Sequence, residues 1–244
     1  MNSDCSSIVA RVDDPASFAA LAALVRDWEP SLELDRPPTD ALLYEPDGTL
    51  YAVCLAETME ARAGDRYRTV RRGDLLVVPQ AFAIDAGPIV DLLVVRHDGA
   101  APDHFRERFI QVWGFEHLAA PPDVVGGWGL HDVVTPLDVR FRLPYAVLDV
   151  NETKEQVVPP SGELRLILSL RGAIRAEIWS DQSAVVHDLV PRTVLGLLPG
   201  AGCRFQGIGR LGVLTLLNDV SHSARRATMG GRRDLGTSPE FTPA

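Results

Sequence analysis

The chain has 244 residues, 46% of them hydrophobic, and 33 acidic against 24 basic side chains give a formal net charge of −9 and a pI near 5.1. That content can bury a sizeable core, in one large all-β domain or two domains of roughly 100 residues each, and the acidic balance repels phosphate backbones and anionic lipid surfaces, so neither nucleic acid nor membrane is expected as a partner. Cys5, Cys54 and Cys203 form no C-x-x-C pair and signal neither a disulfide framework nor a zinc site; with no basic leader and no run near the ~20 apolar residues of a membrane span, a cytoplasmic protein is expected.

Asp14-Pro15 reads as a helix start, because Asp accepts from the free amides of the first turn and Pro at the first helical position has no amide to lose. Phe18, Leu21, Ala22 and Val25 then share one face, which predicts a helix over 15–28 lying on a sheet. From Asp40 to Asp98, turn signals at Asp47-Gly48, Gly64-Asp65, Gly73-Asp74 and Gly87-Pro88 separate short β-rich runs such as Leu50 to Leu55, Leu75 to Val78 and Ile89 to Val95. This spacing is that of an antiparallel sandwich or barrel. Pro and Gly then cluster between Ala100 and Pro136 around a helix expected from Asp103 to about Val112. Strands resume over Tyr145 to Val150, Leu164 to Leu170, Ala173 to Trp179, Thr193 to Leu198 and Leu211 to Leu217. The tail after Ser221 carries Arg225, Arg226, Arg232 and Arg233 among Gly, Ser, Thr and Pro, and is expected to be mobile.

The two β-rich stretches repeat one another. Gly73-Asp74-Leu-Leu-Val-Val-Pro79 and Thr193-Val-Leu-Gly-Leu-Leu-Pro199 are both an apolar strand entered from a turn and ended by proline, and an internal duplication of this kind is a statement about fold. The rhythm of the first copy resembles the second conserved motif of the cupins. Two copies resemble a bicupin, which implies an all-β fold of two cupin-like antiparallel β-barrels of the jelly-roll type with an N-terminal helix and a helical linker. The domain boundaries that follow are a helical extension over 1–38, a first barrel over 39–99, a linker over 100–140, a second barrel over 141–220 and a basic tail over 221–244. In the second copy, Thr193 stands where the family has Gly and Val194 where it often has Asp.

Catalytic cupins hold a divalent transition metal through two histidines and a glutamate early in the unit and a third histidine after the proline-ended strand, a donor set suited to Fe, Mn, Ni or Zn. By the resemblance, the early slots of the first copy fall on Leu42 to Glu45 and Thr49, and the late one on Ile84. In the second copy the glutamate slot is Arg165, the histidine slots fall within Val158 to Ser161, and the late slot is Arg204. None is a histidine. No metal cofactor is therefore expected, with a divalent transition metal as the alternative through His97, His104, Glu107 and His117, which crowd one segment beside the first copy; the simpler account makes these surface residues of a linker helix.

The cupin slot occupied by Arg204 points into the barrel, where a guanidinium could grip a carboxylate or phosphate; the alternative is that Arg204 pairs with an acidic residue at the barrel rim. Tyr44, Glu45 and Tyr51 are the matching polar candidates in the first barrel. His131 and Asp132 are read as part of an inter-domain turn or flap, and His187-Asp188 as an exposed turn. The resulting expectation is a metal-independent bicupin that binds a small molecule and serves a binding, accessory or regulatory role. The alternatives are a cupin enzyme, isomerase-like or dioxygenase-like, with a non-standard site, and a scaffold that forms a homodimer.

Overall fold

The structure is a computed structural model that describes residues 6–36, 49–63, 66–78, 91–97, 111–113, 131–133, 143–152, 156–180 and 184–216. The chain opens with β1 (Ser7–Arg11), α1 (Pro15–Trp28) and β2 (Leu32–Asp35). It continues through β3 (Thr49–Cys54), β4 (Thr58–Ala63), β5 (Arg66–Arg71), β6 (Leu75–Val78), β7 (Leu92–His97) and β8 (Gln111–Trp113). Then come β9 (His131–Val133), β10 (Leu143–Val150), β11 (Gln156–Val158), β12 (Leu164–Trp179), β13 (Ala184–Leu189), β14 (Thr193–Leu197) and β15 (Gly202–Leu216).

The helix forms where its cap and stripe require. The Asp14 carboxylate accepts from the amides of Ala16 and Ser17, both at 3.3 Å, and satisfies two of the donors that the first turn leaves open. Leu21 and Val25 are fully buried, and Phe18 and Ala22 pack beside them. Each fully buried aliphatic side chain contributes about 1.5–3 kcal/mol.

One strand order occurs twice. The first half is a five-stranded sheet, β2-β7-β3-β6-β8, with β4 and β5 as a separate hairpin. The second contains the run β10-β15-β12-β14-β1, extended by β9 beyond β10. All pairings are antiparallel. The long strands β12 and β15 carry a register shift between Ser169 and Arg171, and beyond it they pair with β13 and β11. Side chains from all these strands meet in one buried apolar cluster on one face of the sheet.

The outer segments depart from the boundaries expected from sequence. Residues 1–38 are more than a helical extension: β1 is the edge of the second half and β2 the edge of the first. The helix expected from Asp103 to Val112 is corrected at its described end, where Gln111–Trp113 pair with Val77 to Leu75 as β8. His131 and Asp132, read as turn or flap, are strand residues of β9. An edge strand of three to five residues carries too little periodicity to stand out, because its partner supplies its hydrogen bonds.

The duplicated turn also has a corrected register. Arg71-Arg72-Gly73-Asp74 closes with the Asp74 amide on the Arg71 carbonyl, and Val190-Pro191-Arg192-Thr193 closes likewise with Thr193 on Val190. The third residue takes positive φ in each, 89° at Gly73 and 72° at Arg192, as a type II turn demands. Arg192, not Thr193, is thus the counterpart of Gly73. Both donate their amides to the sheet's central strand, Gly73 to Cys54 at the end of β3 and Arg192 to Ser169 beside the register shift of β12.

Among the described residues two apolar clusters stand out. One joins the halves: alternate residues Tyr51, Val53, Leu75, Leu93 and Val95 of the first sheet meet Tyr145, Val147, Leu164, Leu166, Leu168 and Leu214 of the second, with α1 over the seam. The other fills the second half and includes Ile167, Ile174, Ile178, Leu195, Leu197, Cys203, Phe205, Leu211 and Val213. Polar ties cross the seam. The Tyr145 hydroxyl donates to the Gly73 carbonyl at 3.0 Å, Arg72 donates to the carbonyls of Leu55 and Leu170, and Arg192 meets Asp91 at 2.6 Å. Burial, with Asp74 and Cys54 nearby, pushes the Tyr145 phenol well above its ordinary pKa, so it stays a donor. Tyr145→Phe strands the buried Gly73 carbonyl and is expected to lower stability by about 1–3 kcal/mol, read as a lower urea midpoint at unchanged m-value.

Candidate functional site

Alternation along the strands of the second half decides which side chains face its buried apolar cluster, and cross-strand partners share a face. Leu197, on β14, belongs to the interior cluster. Its register partners are Ser7 on β1 and Arg165 on β12, and Arg165 is in turn opposite Thr215 on β15. One inward row therefore reads Ser7, Leu197, Arg165, Thr215 across four adjacent strands. At roughly 5 Å per strand it is about 15 Å wide.

The row lies at strand ends: Ser7 begins β1, Leu197 ends β14, Arg165 is second in β12 and Thr215 second from last in β15. It forms a polar rim to a face that is otherwise mostly apolar, with Ser169 and His187 as further polar residues. Arg165 is 8% exposed and Thr215 fully buried. The Arg165 Nη1 donates to the Pro159 carbonyl at 2.6 Å, which ties the guanidinium to the segment between β11 and β12. His187 on β13 is opposite Ala176 and so also faces inward, and its Nε2 is 3.5 Å from the Ser7 hydroxyl. That contact bridges the edge strands β1 and β13. Cys203 lies opposite Val158 and Ile178, and burial raises its thiol far above the ordinary value. It is a neutral wall, not a nucleophile.

The residues proposed from sequence are distributed differently. Arg204 does not point into the interior: its neighbours Cys203 and Phe205 do, and a two-residue period turns Arg204 outward. It is exposed, opposite Val157 and Glu177, with its Nη1 3.9 Å from the Glu177 carboxylate. The rim pairing weighed as the alternative is the arrangement found, a weak contact worth at most about 1 kcal/mol. Tyr51 is also corrected. It is buried in the cluster between the halves, on the sheet face opposite Leu50, Ala52 and Cys54. Tyr44, Glu45, Ile84, His104, Glu107 and His117 lie outside the described residues, and His97 closes β7 opposite Leu32 and Thr49. His187 is no exposed turn but a half-buried strand residue.

Ser7, Arg165 and Thr215 were not proposed from sequence. Arg165 had a usable signal, because the family resemblance puts it in the glutamate slot of the second copy. Ser7 had none, since it is 158 positions from Arg165 and reaches it only through β1 joining the second sheet.

The donor chemistry of this rim does not fit a divalent cation. Arg165 brings a permanently charged guanidinium to the row, Val158 is an apolar wall, and Pro159 spends its carbonyl on Arg165. Among the described residues no three His, Cys, Asp or Glu side chains come together as metal ligands. In the first half, the face that includes Cys54 is apolar through Leu50, Ala52, Leu76, Leu92 and Val94 and turns charged at its end, where Arg96, opposite Leu50, meets Glu33 at 3.4 Å. Burial pushes the Cys54 thiol up to about 12.

No protein-family model and no curated protein matches the sequence. Solved structures match the fold, 213 chains in all. HEPD of Streptomyces albus, solved with 2-hydroxyethylphosphonate and Fe(II) bound, aligns at a TM-score of 0.53 and 9% identity over 96% of this chain and 81% of its own. A Pseudomonas aeruginosa protein described as glyoxylate-induced aligns at 0.53 and 13% identity over 76% of this chain and 73% of its own. These neighbours have the cupin fold, and so does this chain. No helix among the described residues is long and apolar enough to cross a membrane.

Both described cysteines are buried and free, and raised thiol pKa values keep them protonated at neutral pH. In native protein at pH 8, peptide-level mass spectrometry after iodoacetamide treatment is expected to find Cys54 and Cys203 unmodified, and both labelled once urea unfolds the chain. The same shift has a pH consequence: folded Cys54 stays neutral while the unfolded thiol ionises, so stability is full below the ordinary thiol value of 9.0 and falls as pH rises toward about 12.

Proposed function

We propose that the protein is a metal-independent bicupin that binds a small molecule at the polar rim of its second half and acts as a binding, accessory or regulatory protein. The recurrence of one strand order in both halves, with matching type II turns at Gly73 and Arg192, supports the two-cupin reading. The observation that carries the function is the inward polar row of Ser7, Arg165 and Thr215 on an apolar interior. A few convergent polar groups at the mouth of an apolar enclosure are the ordinary composition of a small-molecule site. Iron is a partner of the Streptomyces neighbour; the charge of Arg165 argues against the same role at this rim.

Elemental analysis of untagged protein, combined with native mass spectrometry, tests the reading. The expected result is substoichiometric transition metal and a retained or added organic mass that Thr215→Val and Arg165→Met diminish. Stoichiometric Fe, Mn, Ni or Zn, lost together with folding on chelation, would contradict it.

A further inference from the structure

We propose that the protein self-associates as a two-fold dimer through the outward face of the four strands β13, β12, β15 and β11, with a second copy of this chain as the partner. The inference is independent of the small-molecule reading, because this face is the reverse side of the sheet that carries the polar row. The strands lie side by side in that order. Ile174, Ala176, Ile178, Cys203 and Phe205 belong to the buried cluster, and a period of two turns the residues between them outward. Of the large hydrophobic side chains exposed among the described residues, Val157, Val186 and Ile208 stand on this face, and Ile208 is the most exposed, at 62%. Apolar side chains gathered on one face and rimmed by charge mark a surface that meets another protein.

The register makes this face its own complement. One row reads Val186, Glu177, Arg204, Val157 across the four strands, and another sets Ala173 beside Ile208. A two-fold axis parallel to the strands, midway between β12 and β15 and just above the sheet, lays β12 over the partner's β15 and β13 over the partner's β11. Each position then meets its match. Glu177 faces the partner's Arg204, Arg204 faces the partner's Glu177, Val186 faces the partner's Val157, and Ile208 faces the partner's Ala173, a large side chain on a small one. Two sheets stacked in this way keep their strands nearly aligned at about 10 Å separation, and a patch that pairs with itself closes at two copies.

Charge selects a second copy over an unrelated partner. The chain carries a net −9, so two copies repel over most of their surface. On this face, however, Arg175 stands opposite Asp188 and Arg204 opposite Glu177. A locally neutral face of alternating charge is attracted to its own two-fold image, whereas a strongly acidic or basic partner gains nothing from it. At about 5 Å per strand and about 3.3 Å per residue, the four strands from Ala173 to Trp179 present roughly 20 by 20 Å. That is the low end of specific interfaces, and the expected dimer dissociates in the micromolar range.

Sedimentation velocity of the full chain over about 1–300 μM, at low and at high salt, tests the proposal. A monomer–dimer equilibrium in the micromolar range, weakened by added salt, is expected. Glu177→Arg alone and Arg204→Glu alone each set like charges against one another across the axis and should weaken the dimer by roughly tenfold or more. Mixed in equal amounts, the two variants restore opposite charges across the axis, so the mixture should dimerise within about threefold of the unaltered chain. Each variant keeps a like-charged pair within its own chain, so recovery on mixing reports contact between copies and not repair of the fold. Ile208→Asp, exposed and outside the charge pair, should also weaken dimerisation by roughly tenfold or more. A chain that stays monomeric at about 300 μM overturns the proposal and leaves the face to a different protein or to solvent. A dimer indifferent to all three substitutions overturns it too, as does a mixture no tighter than either variant alone. Should a reversal variant not fold, Ile208→Asp decides the matter, and an unchanged dimer in it overturns the proposal.

Discussion

The Tyr145 hydroxyl on the Gly73 carbonyl is the contact on which the arrangement of the halves depends. Gly73 is the positive-φ residue of its turn, and its amide is already committed to Cys54. The turn is thereby fixed against the central strand of the first sheet, and its carbonyl is left facing the second. Tyr145 reaches it from β10, buried completely. Its ring needs room on the neighbouring strand: a Cβ on Gly212 would come within 2.7 Å of the phenol oxygen. A buried donor and a buried acceptor each forfeit water, so either left alone is penalised. Around this bond, Arg72 bridges carbonyls of both halves and Arg192 meets Asp91, each projecting from the duplicated turn of its own half. A motif that in sequence resembles the approach to a catalytic strand serves here as the joint between two sheets.

That joint determines where chemistry can reside. One face of β12 is spent on the seam through Leu164, Leu166 and Leu168, so Arg165, Ile167 and Ser169 face the opposite side. The period of two makes the outcome sharp. Arg165 is turned inward and Arg204 outward because each stands between residues committed to the opposite face. Arg192 shows the same economy: it holds a positive φ that favours glycine, at a cost of about 1–2 kcal/mol, while its carbonyl accepts from Val12 and its side chain reaches Asp91. Those contacts offset the strain.

Legibility in the sequence followed the range of the interactions. The helix over 15–28 was readable because cap, proline and apolar stripe all lie within fourteen consecutive residues, and Leu75–Val78 because turn signals bound it. The duplication was readable, but aligning it on Pro79 and Pro199 displaced the second turn by one residue, so Arg192 was not recognised as the counterpart of Gly73. What could not be read were pairings across long separations: β1 with β14 and β8 with β6. The first of these brings Ser7 to Arg165 and His187 to Ser7. His187 was misjudged because the run Ala184–Leu189 alternates weakly, with exposed Val186 and Asp188 beside it. The site thus stayed hidden for the reason the fold was visible: local patterns specify strands, whereas a site is made by strands that meet.

The central claim is that the second half carries an inward polar row of Ser7, Arg165 and Thr215 whose chemistry does not suit a metal. A crystal structure of the untagged protein, with diffraction recorded at the iron, manganese, nickel and zinc absorption edges, addresses it most directly. The account predicts Arg165 turned inward beside Thr215 and no anomalous peak within coordination distance of the row. Arg165 directed to solvent, or an anomalous peak among Ser7, His187 and Thr215, would contradict it.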